Sequence, residues 1–385
     1  MLTVTLCVSS SQALEFRIVG PRAFAMGGAS VACPAPGYAA YYNPAALGLE
    51  PDTCAFDLTG GGNVRDTGIS AHLDSLANYD WQTAINDPLG EQAEGIIAEL
   101  ATIRSSDGLM FLPSGAFGIK AGPFGTGAYP AGQIVMASRL DTVHISQADP
   151  LLDANSFFYN ESTMYAKGLG VLEVPFAYGY TFQFEEGTLS VGAAVKFIGA
   201  MTYNVDQGIT LTAEPEQIRN ELEDSAESTV GFGIDLGLLY RTMEDRLSMG
   251  LLARNINSPS FKTHNGDDIS DDAQVRAGIA YAVTEEVMVA LDVDLTANDT
   301  LIDDYSSRQV SAGLCYDTGG LALRVGVMKN IDESSAPVMV CLGFSLGNSS
   351  FHLDVAGSLP GSWETFDDYS YPSEGGLMIS LGGGW

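Results

Sequence analysis

Residues Thr229 to Arg241 read TVGFGIDLGLLYR, and they set the character of the whole chain. Phe232, Ile234, Leu236, Leu238 and Tyr240 alternate with Gly233, Asp235, Gly237 and Leu239. A period of two puts the first set on one face of a β-strand and the second on the other. The same period returns in Leu247, Met249, Leu251; in Val275, Ala277, Ile279, Tyr281, Val283; and in Val287, Val289, Leu291, Val293, Leu295. It continues to the end of the chain, through Val310 to Tyr316, Leu321 to Val327, Val338 to Leu346, Phe351 to Val355 and Leu377 to Leu381.

The second face decides what kind of sheet this is. It carries Asp235, Arg254, Arg276, Asp292, Asp294, Arg324 and Asp354 among Gly, Ala and Ser, and Lys is scarce. A soluble sandwich would place Lys, Glu and Thr on its outer face. An apolar band outside with a polar, small-residue lumen is the pattern of a transmembrane antiparallel β-barrel, so an all-β fold is expected. Coarse strands fall at 53–61, 108–121, 129–140, 171–184, 188–201, 229–242, 245–256, 274–284, 286–297, 308–317, 320–329, 337–347, 349–358 and 375–385. That makes about 14, an even number as single-chain bacterial barrels have. Connections such as 317–320 and 347–349 are short, whereas 257–273 and 360–374 are long, as expected of periplasmic turns and external loops.

Composition agrees. Of 385 residues 46% are hydrophobic, 44 are glycine and only 17% are charged, yet no run of about 18 apolar residues offers a spanning helix. No linker divides the chain, so one large barrel domain over 51–385 is expected. Its 48 acidic and 17 basic residues give a formal charge of −31, which repels phosphate backbones and excludes nucleic acid as a partner. The acids gather in loops such as 267–272, 299–304 and 364–368, a solvated surface suited to salty water or divalent cations.

Two stretches break the strand pattern. Ala84, Ile85, Ala93, Ile96, Ile97, Leu100 and Ile103 fall close to helical spacing and predict a helical insertion near 81–104. EPEQIRNELEDSA, with Pro215 in its first turn, predicts a second, wetter one at 214–226.

At the start, residues 1–13, MLTVTLCVSSSQA, read as the apolar part and small-residue cleavage site of a secretory signal peptide. The usual basic start is missing, which leaves open a truncated start or an internal Met taken as the first residue. Residues 14–50 follow, and AFAMGGASVACPAPGYAAYYNPAALGL, from Ala23 to Leu49, contains no Lys, Arg, Asp or Glu. Gly27 and Gly28 permit close backbone packing, so this segment is expected to fold into the barrel as a plug. At the other end the chain stops on Trp385 after an alternating run. This resembles the C-terminal signal that hands outer-membrane barrels to their insertion machinery, and an aromatic of the interface belt is compatible with it.

Two N-terminal motifs, GPRAFAMGGASVA and AAYYNPAALG, resemble the hatch segment of the fatty-acid-transporter-like (FadL-type) outer-membrane proteins. Within that superfamily GLGVLEVPFAYGYTF, LSVGAAVKFIGAMTY, DLGLLYR, LSMGLLARNINSPSF, QVRAGIAYAV and ALDVDLT are similar, in order, to the conjugal-transfer TraF-like group. The resemblance runs from Gly20 to Leu346. It implies a barrel of fourteen strands in the bacterial outer membrane, a hatch whose turn is Asn43, Pro44 and Ala45, and passage of hydrophobic molecules. Tyr38, Tyr41 and Tyr42 are then candidates to touch the wall or a ligand. Some relatives serve secretion or surface assembly instead, which leaves a platform for a protein partner at the loops as the alternative.

No enzyme chemistry stands out. The four His, at 72, 144, 264 and 352, are isolated in sequence from ligand-spaced Cys or acids, and no nucleophile-elbow or phosphate-loop pattern occurs. No catalytic residue, cofactor or metal site is therefore expected. His352 shares the inward face with Asp354, which suggests a lumen hydrogen bond. The lumen charges either line a polar route or pair with one another, and pairing is the expected role because their Gly and Ala neighbours let a plug approach closely. NGDDISDD at 265–272 lacks the spacing of a calcium loop and is expected to be solvated. Cys315 and Cys341 lie two strands apart, about 9.5 Å, too far for a disulfide. Cys33 and Cys54 flank the Asn-Pro-Ala turn, and both a disulfide between them and two buried thiols remain open.

Overall fold

The computed structural model describes residues 14–87, 90–141, 162–208, 225–264, 266, 268–366 and 369–385. The expected signal peptide at 1–13 and most of the expected helix at 214–226 lie outside the described residues.

The chain enters through short pieces: helix α1 (Pro21–Ala25), a 3-10 turn at Pro36–Tyr38, helix α2 (Ala39–Tyr42) and a second 3-10 turn at Pro44–Gly48. It then builds β1 (Cys54–Asp66), helices α3 (Ile69–Ala77), α4 (Trp81–Asn86) and α5 (Glu91–Leu100), and strands β2 (Gly108–Ala121) and β3 (Phe124–Arg139). Next come β4 (Thr163–Phe184), β5 (Gly187–Gly208), β6 (Glu227–Thr242), β7 (Leu247–Arg254), the small hairpin β8 (Ser260–Lys262) and β9 (Asp268–Ser270), β10 (Gln274–Ala282) and β11 (Val287–Asp294). The chain finishes with hairpin β12 (Asn298–Asp299) and β13 (Ser306–Ser307), β14 (Gln309–Asp317), β15 (Leu321–Asn330), β16 (Met339–Gly347), β17 (His352–Pro360), hairpin β18 (Trp363–Phe366) and β19 (Tyr369–Pro372), and β20 (Glu374–Gly384).

Fourteen of these strands close into one antiparallel barrel, in the order β1-β2-β3-β4-β5-β6-β7-β10-β11-β14-β15-β16-β17-β20, with β20 pairing back to β1. Each expected strand has its counterpart. Phe232, Leu236 and Leu238 are exposed while Gly233, Asp235, Gly237 and Leu239 are buried, so the greasy face is the outer one. Outward Phe111, Phe117, Phe176, Phe197, Leu291, Leu342 and Leu381 continue the band around the wall. Such a surface is stable against lipid, and closure leaves no strand edge unpaired within it.

All three small hairpins stand at the long-loop end. β4 and β5 have 22 residues each, twice what a tilted strand needs to cross the hydrocarbon core, so they project beyond it. Their inward Tyr165, Leu169, Val171, Ile198 and Ala200 join Met110, Val135 and Ala137 in an apolar cluster roofed by Phe261, Ile269, Leu301, Ile302 and Tyr305. Pairing between β2, β3 and β4 skips residues around Pro113 and Pro175, consistent with a residue that donates no ladder hydrogen bond.

Near 81–104 the structure has two short helices, α4 and α5, and a third, α3, precedes them from Ile69. Asp80 caps α4 by accepting from the Thr83 backbone N–H, and the chain breaks before α5 at Asp87 and Gly90. Ile69, Leu76, Ala84, Ala93, Ile96 and Ile103 bury one another, so the insertion has a small core of its own.

Candidate functional site

Most of residues 14–50 are buried against the inner face of the wall, and the fit begins at the Asn-Pro-Ala turn. Asn43 is fully buried; its Oδ1 accepts from the Ala45 N–H at 3.1 Å, and its Nδ2 donates to the carbonyls of Val31 and Leu238, each at 3.0 Å. Ser190 on β5 donates to the Ala45 carbonyl at 2.5 Å. The wall makes room with glycine: a Cβ at Gly192 would sit 2.2 Å from Pro44 C, and one at Gly179 2.5 Å from the Gly48 nitrogen. On the opposite wall a Cβ at Gly326 would meet the Gly27 nitrogen at 2.3 Å, and Gly27 and Gly28 adopt φ of 69° and 99°. Side-chain-free wall positions thus receive the plug backbone.

The tyrosines contact plug and wall. Tyr42 Oη accepts from the Val19 N–H at 2.6 Å and donates to the Val19 carbonyl at 2.7 Å. Tyr41 donates to the Arg17 carbonyl and stacks on Tyr129 of β3 with centroids 5.0 Å apart. Tyr38 packs edge-on to the same Tyr129. Burial pushes the Tyr38 and Tyr42 phenols above the usual tyrosine range.

Buried ion pairs fasten this assembly. Glu173 of β4 receives Arg17 of the plug at 3.1 Å, Arg254 of β7 at 2.7 Å and Lys196 of β5 at 3.3 Å, while Lys196 also reaches Asp235 at 3.1 Å. Arg254 lies 4.2 Å over the Tyr41 ring, and Arg276 lies 3.8 Å over Phe16 while holding Asp294 through two hydrogen bonds. Asp292 Oδ2 accepts the backbone N–H groups of Ser30 and Val31 at 2.8 and 2.9 Å. Arg65 joins Glu15 of the plug at 2.8 Å to Glu374 of β20 at 2.9 Å. Arg22 of α1 reaches Asp354, and Arg324 donates to Ser345.

Thus Asp235, Arg254, Arg276, Asp294 and Asp354 stand in ion pairs, whereas Asp292 accepts backbone N–H groups and Arg324 donates to a serine hydroxyl. Sequence reading had missed the centre of the network, Glu173, with Lys196, Arg65, Asp57, Glu15 and Arg17. Their signal was parity: Glu173 is spaced by two from the inward Val171, and Asp57 by two from the inward Ala55.

Of the two readings left open for Cys33 and Cys54, the structure has free thiols. Cys33 packs with Met26, Ala29, Ala290 and Cys315, whereas Cys54 opens β1 and exchanges backbone hydrogen bonds with Trp385. The plug arc between them crosses the lumen, so the two thiols rest on different walls. One expectation is corrected: the 265–272 loop is not wholly solvated, since Asp271 is buried and faces Arg17 at 3.9 Å. Burial raises its pKa, with Arg17 opposing.

A closed fourteen-strand wall with an apolar outer face, plugged from its own N-terminus, defines a bacterial outer-membrane β-barrel. The chain belongs to the family described as "F plasmid transfer operon, TraF, protein", whose pattern it matches over residues 40–294. No curated protein sequence matches it. Among solved structures it is similar to the Pseudomonas putida toluene transporter TodX, with 15% identity, a TM-score of 0.50 and coverage of 97% of this chain and 99% of that one. It is also similar to the monoaromatic hydrocarbon channel CymD, with 14% identity, a TM-score of 0.53 and coverage of 96% and 98%. These likenesses show a shared fold, in keeping with the expected fourteen-strand barrel.

Proposed function

We propose that the protein is a plugged outer-membrane channel that admits uncharged hydrophobic small molecules. The observation that carries this reading is the apolar inner wall under the roofing hairpins, where Met110, Val135, Leu169, Val171 and Ile198 face inward around Leu14. Leu14 of the plug occupies that surface with its carbonyl held by Gln274, and its withdrawal would bare an apolar berth. Most inward cations are already neutralised, which supports a neutral guest. Arg17, Arg65, Lys196, Arg254 and Arg276 are each already committed to a carboxylate, which leaves no cation among them for a fatty-acid head group. The described action of the similar TodX and CymD on toluene and monoaromatic hydrocarbons supports the same class.

Proteoliposomes loaded with the purified protein should take up radiolabelled toluene faster than empty vesicles, and Leu14→Trp should slow them by filling the berth. Uptake equal to that of empty vesicles would sink the channel. A second reading, a membrane-held platform for a partner apparatus, is favoured by the density of ion pairs around Glu173 that shut the lumen; equal uptake would leave that reading standing.

A further inference from the structure

We propose that Asp57, His352 and Asp354 form a binding site for a divalent transition-metal ion of the zinc type at the seam where the barrel closes. The three side chains come from β1 and β17, on either side of β20. Register explains how they meet: Asp57 and His352 are both opposite Gly382, and Asp354 is opposite Ser380. Two strand spacings separate β1 from β17, about 9.5 Å. The gap is bridged over Gly382, where a Cβ would stand 2.2 Å from Asp57 Oδ1 and 2.5 Å from His352 Nε2. Any other residue at 382 would occupy the meeting point.

The geometry is that of a ligand set. One donor atom from each residue lies within 4.8 Å of the other two. His352 Nε2 is 3.1 Å from Asp57 Oδ1 and 3.5 Å from Asp354 Oδ2. Zinc bonds to nitrogen and carboxylate oxygen of about 2.0–2.2 Å, arranged tetrahedrally, set neighbouring donors about 3.4 Å apart. A single Nε2–H can serve only one of the two carboxylates well, and Asp354 Oδ1 is buried with no hydrogen-bond partner among the described residues. Of the guanidinium groups only Arg22 is in ion-pair contact with the two buried carboxylates among the described residues, while Arg324 is turned to Ser345.

Outer partners hold the donors in place. The Gly37 N–H donates to Asp57 Oδ2 at 3.1 Å, which leaves Oδ1 for the ion, and Ser380 and Arg22 donate to Asp354 Oδ2 at 3.0 and 3.2 Å. A cavity of about 310 Å³, lined among others by Asp57, His352, Cys54 and Trp385, gives entry from the short-turn end and room for a water as fourth ligand. Because Gly37 and Arg22 belong to the plug, the ion would tie the plug to both sides of the closing seam.

The full chain, purified in detergent and stripped with chelator, is titrated with Co²⁺ while the visible d–d bands are recorded, then with Zn²⁺ in competition. The expected result is one ion per chain with the strong bands of four-coordinate cobalt. His352→Gln and Asp57→Asn should each bind at least about tenfold more weakly. Glu94→Gln in the outer helical insertion should bind as the parent does, and heat-modifiable gel migration reports that each barrel is folded. Titration without a one-to-one end point, or bands unaltered in folded His352→Gln, overturns the site. A His352 imidazole that NMR finds doubly protonated at neutral pH and unmoved by Zn²⁺ overturns it too, because a proton then supplies the missing charge.

Discussion

A Cβ placed on Gly237 would stand 2.2 Å from Oδ1 of Asn43, so the wall strand β6 and the plug turn interlock through the absence of one side chain and the presence of another. Gly237→Ala should therefore cost about 1–3 kcal/mol by overpacking. Asn43→Ala should cost a similar ~1–3 kcal/mol, because the carbonyls of Val31 and Leu238 lose their buried donor. The residues touch, so the two losses should not add: Asn43→Ala removes the atom that Gly237→Ala collides with. Denaturant unfolding in micelles of both single variants and the double checks this, and strict additivity would refute the interlock.

Glu173 is the one carboxylate shared by Arg17, Arg254 and Lys196. Glu173→Gln strips Arg254 of its ion-pair partner and leaves Lys196 to Asp235 and Arg17 to the more distant Asp271, and breaking such a buried network costs about 3–5 kcal/mol. Because Arg17 is the plug's contribution, the damage should appear first as a loosened plug. Planar-bilayer recordings should show frequent open events in Glu173→Gln and few in the parent. Equal, quiet traces with an unchanged melting temperature would mean that the network does not hold the plug.

Cys33 and Cys54 provide a covalent check on the path of the plug. Alkylation and peptide mapping without reductant should find both as thiols. Burial pushes the Cys33 thiol up to about 12, with Asp292 adding to the shift, so it should react with maleimide at pH 8 far more slowly than an exposed thiol. A Cys33–Cys54 peptide linked by a disulfide would show that the plug runs along a different wall.

The strand positions could be read from the chain because outward and inward demands differ at every second residue, as Phe232 and Gly233 illustrate. Strand ends could not. β4 begins at Thr163, eight residues before the expected 171, since Ala166, Gly168 and Gly170 carry too little side chain to show a period. Helix α3 was missed although Ile69, Leu73 and Leu76 have helical spacing, because only nine residues express it. Among the site residues the charges on β6 through β17 were recognised by their parity within clear alternation. Glu173 and Asp57 were passed over because a lone acid in a strand has no local sign of its partner: Glu173 lies 81 residues from Arg254, and Asp57 lies 295 from His352. Register across a closed barrel brings them together, and register is a property of the whole wall.

The roof over the apolar berth is pinned by Asp303, which sits between β12 and β13 and takes Arg139 at 2.6 Å and Lys167 at 3.0 Å. Partial burial alone would raise its pKa, but the hydrogen bonds from Arg139 and Lys167 outweigh that and hold it below the ordinary 3.8. A carboxylate depressed in the folded state stabilises it fully above the unfolded value, and that contribution is lost as the pH falls through the folded value. The hairpin should therefore keep its anchor at pH 5 and release it below about pH 3.8. Hydrogen exchange of the 298–307 amides, corrected for intrinsic rates, should rise over that interval relative to the barrel strands. Asp303→Asn should exchange fast already at pH 5 and show no further step on acidification. A variant that keeps the parent's acid step would assign the transition to another carboxylate and remove Asp303 as the pin.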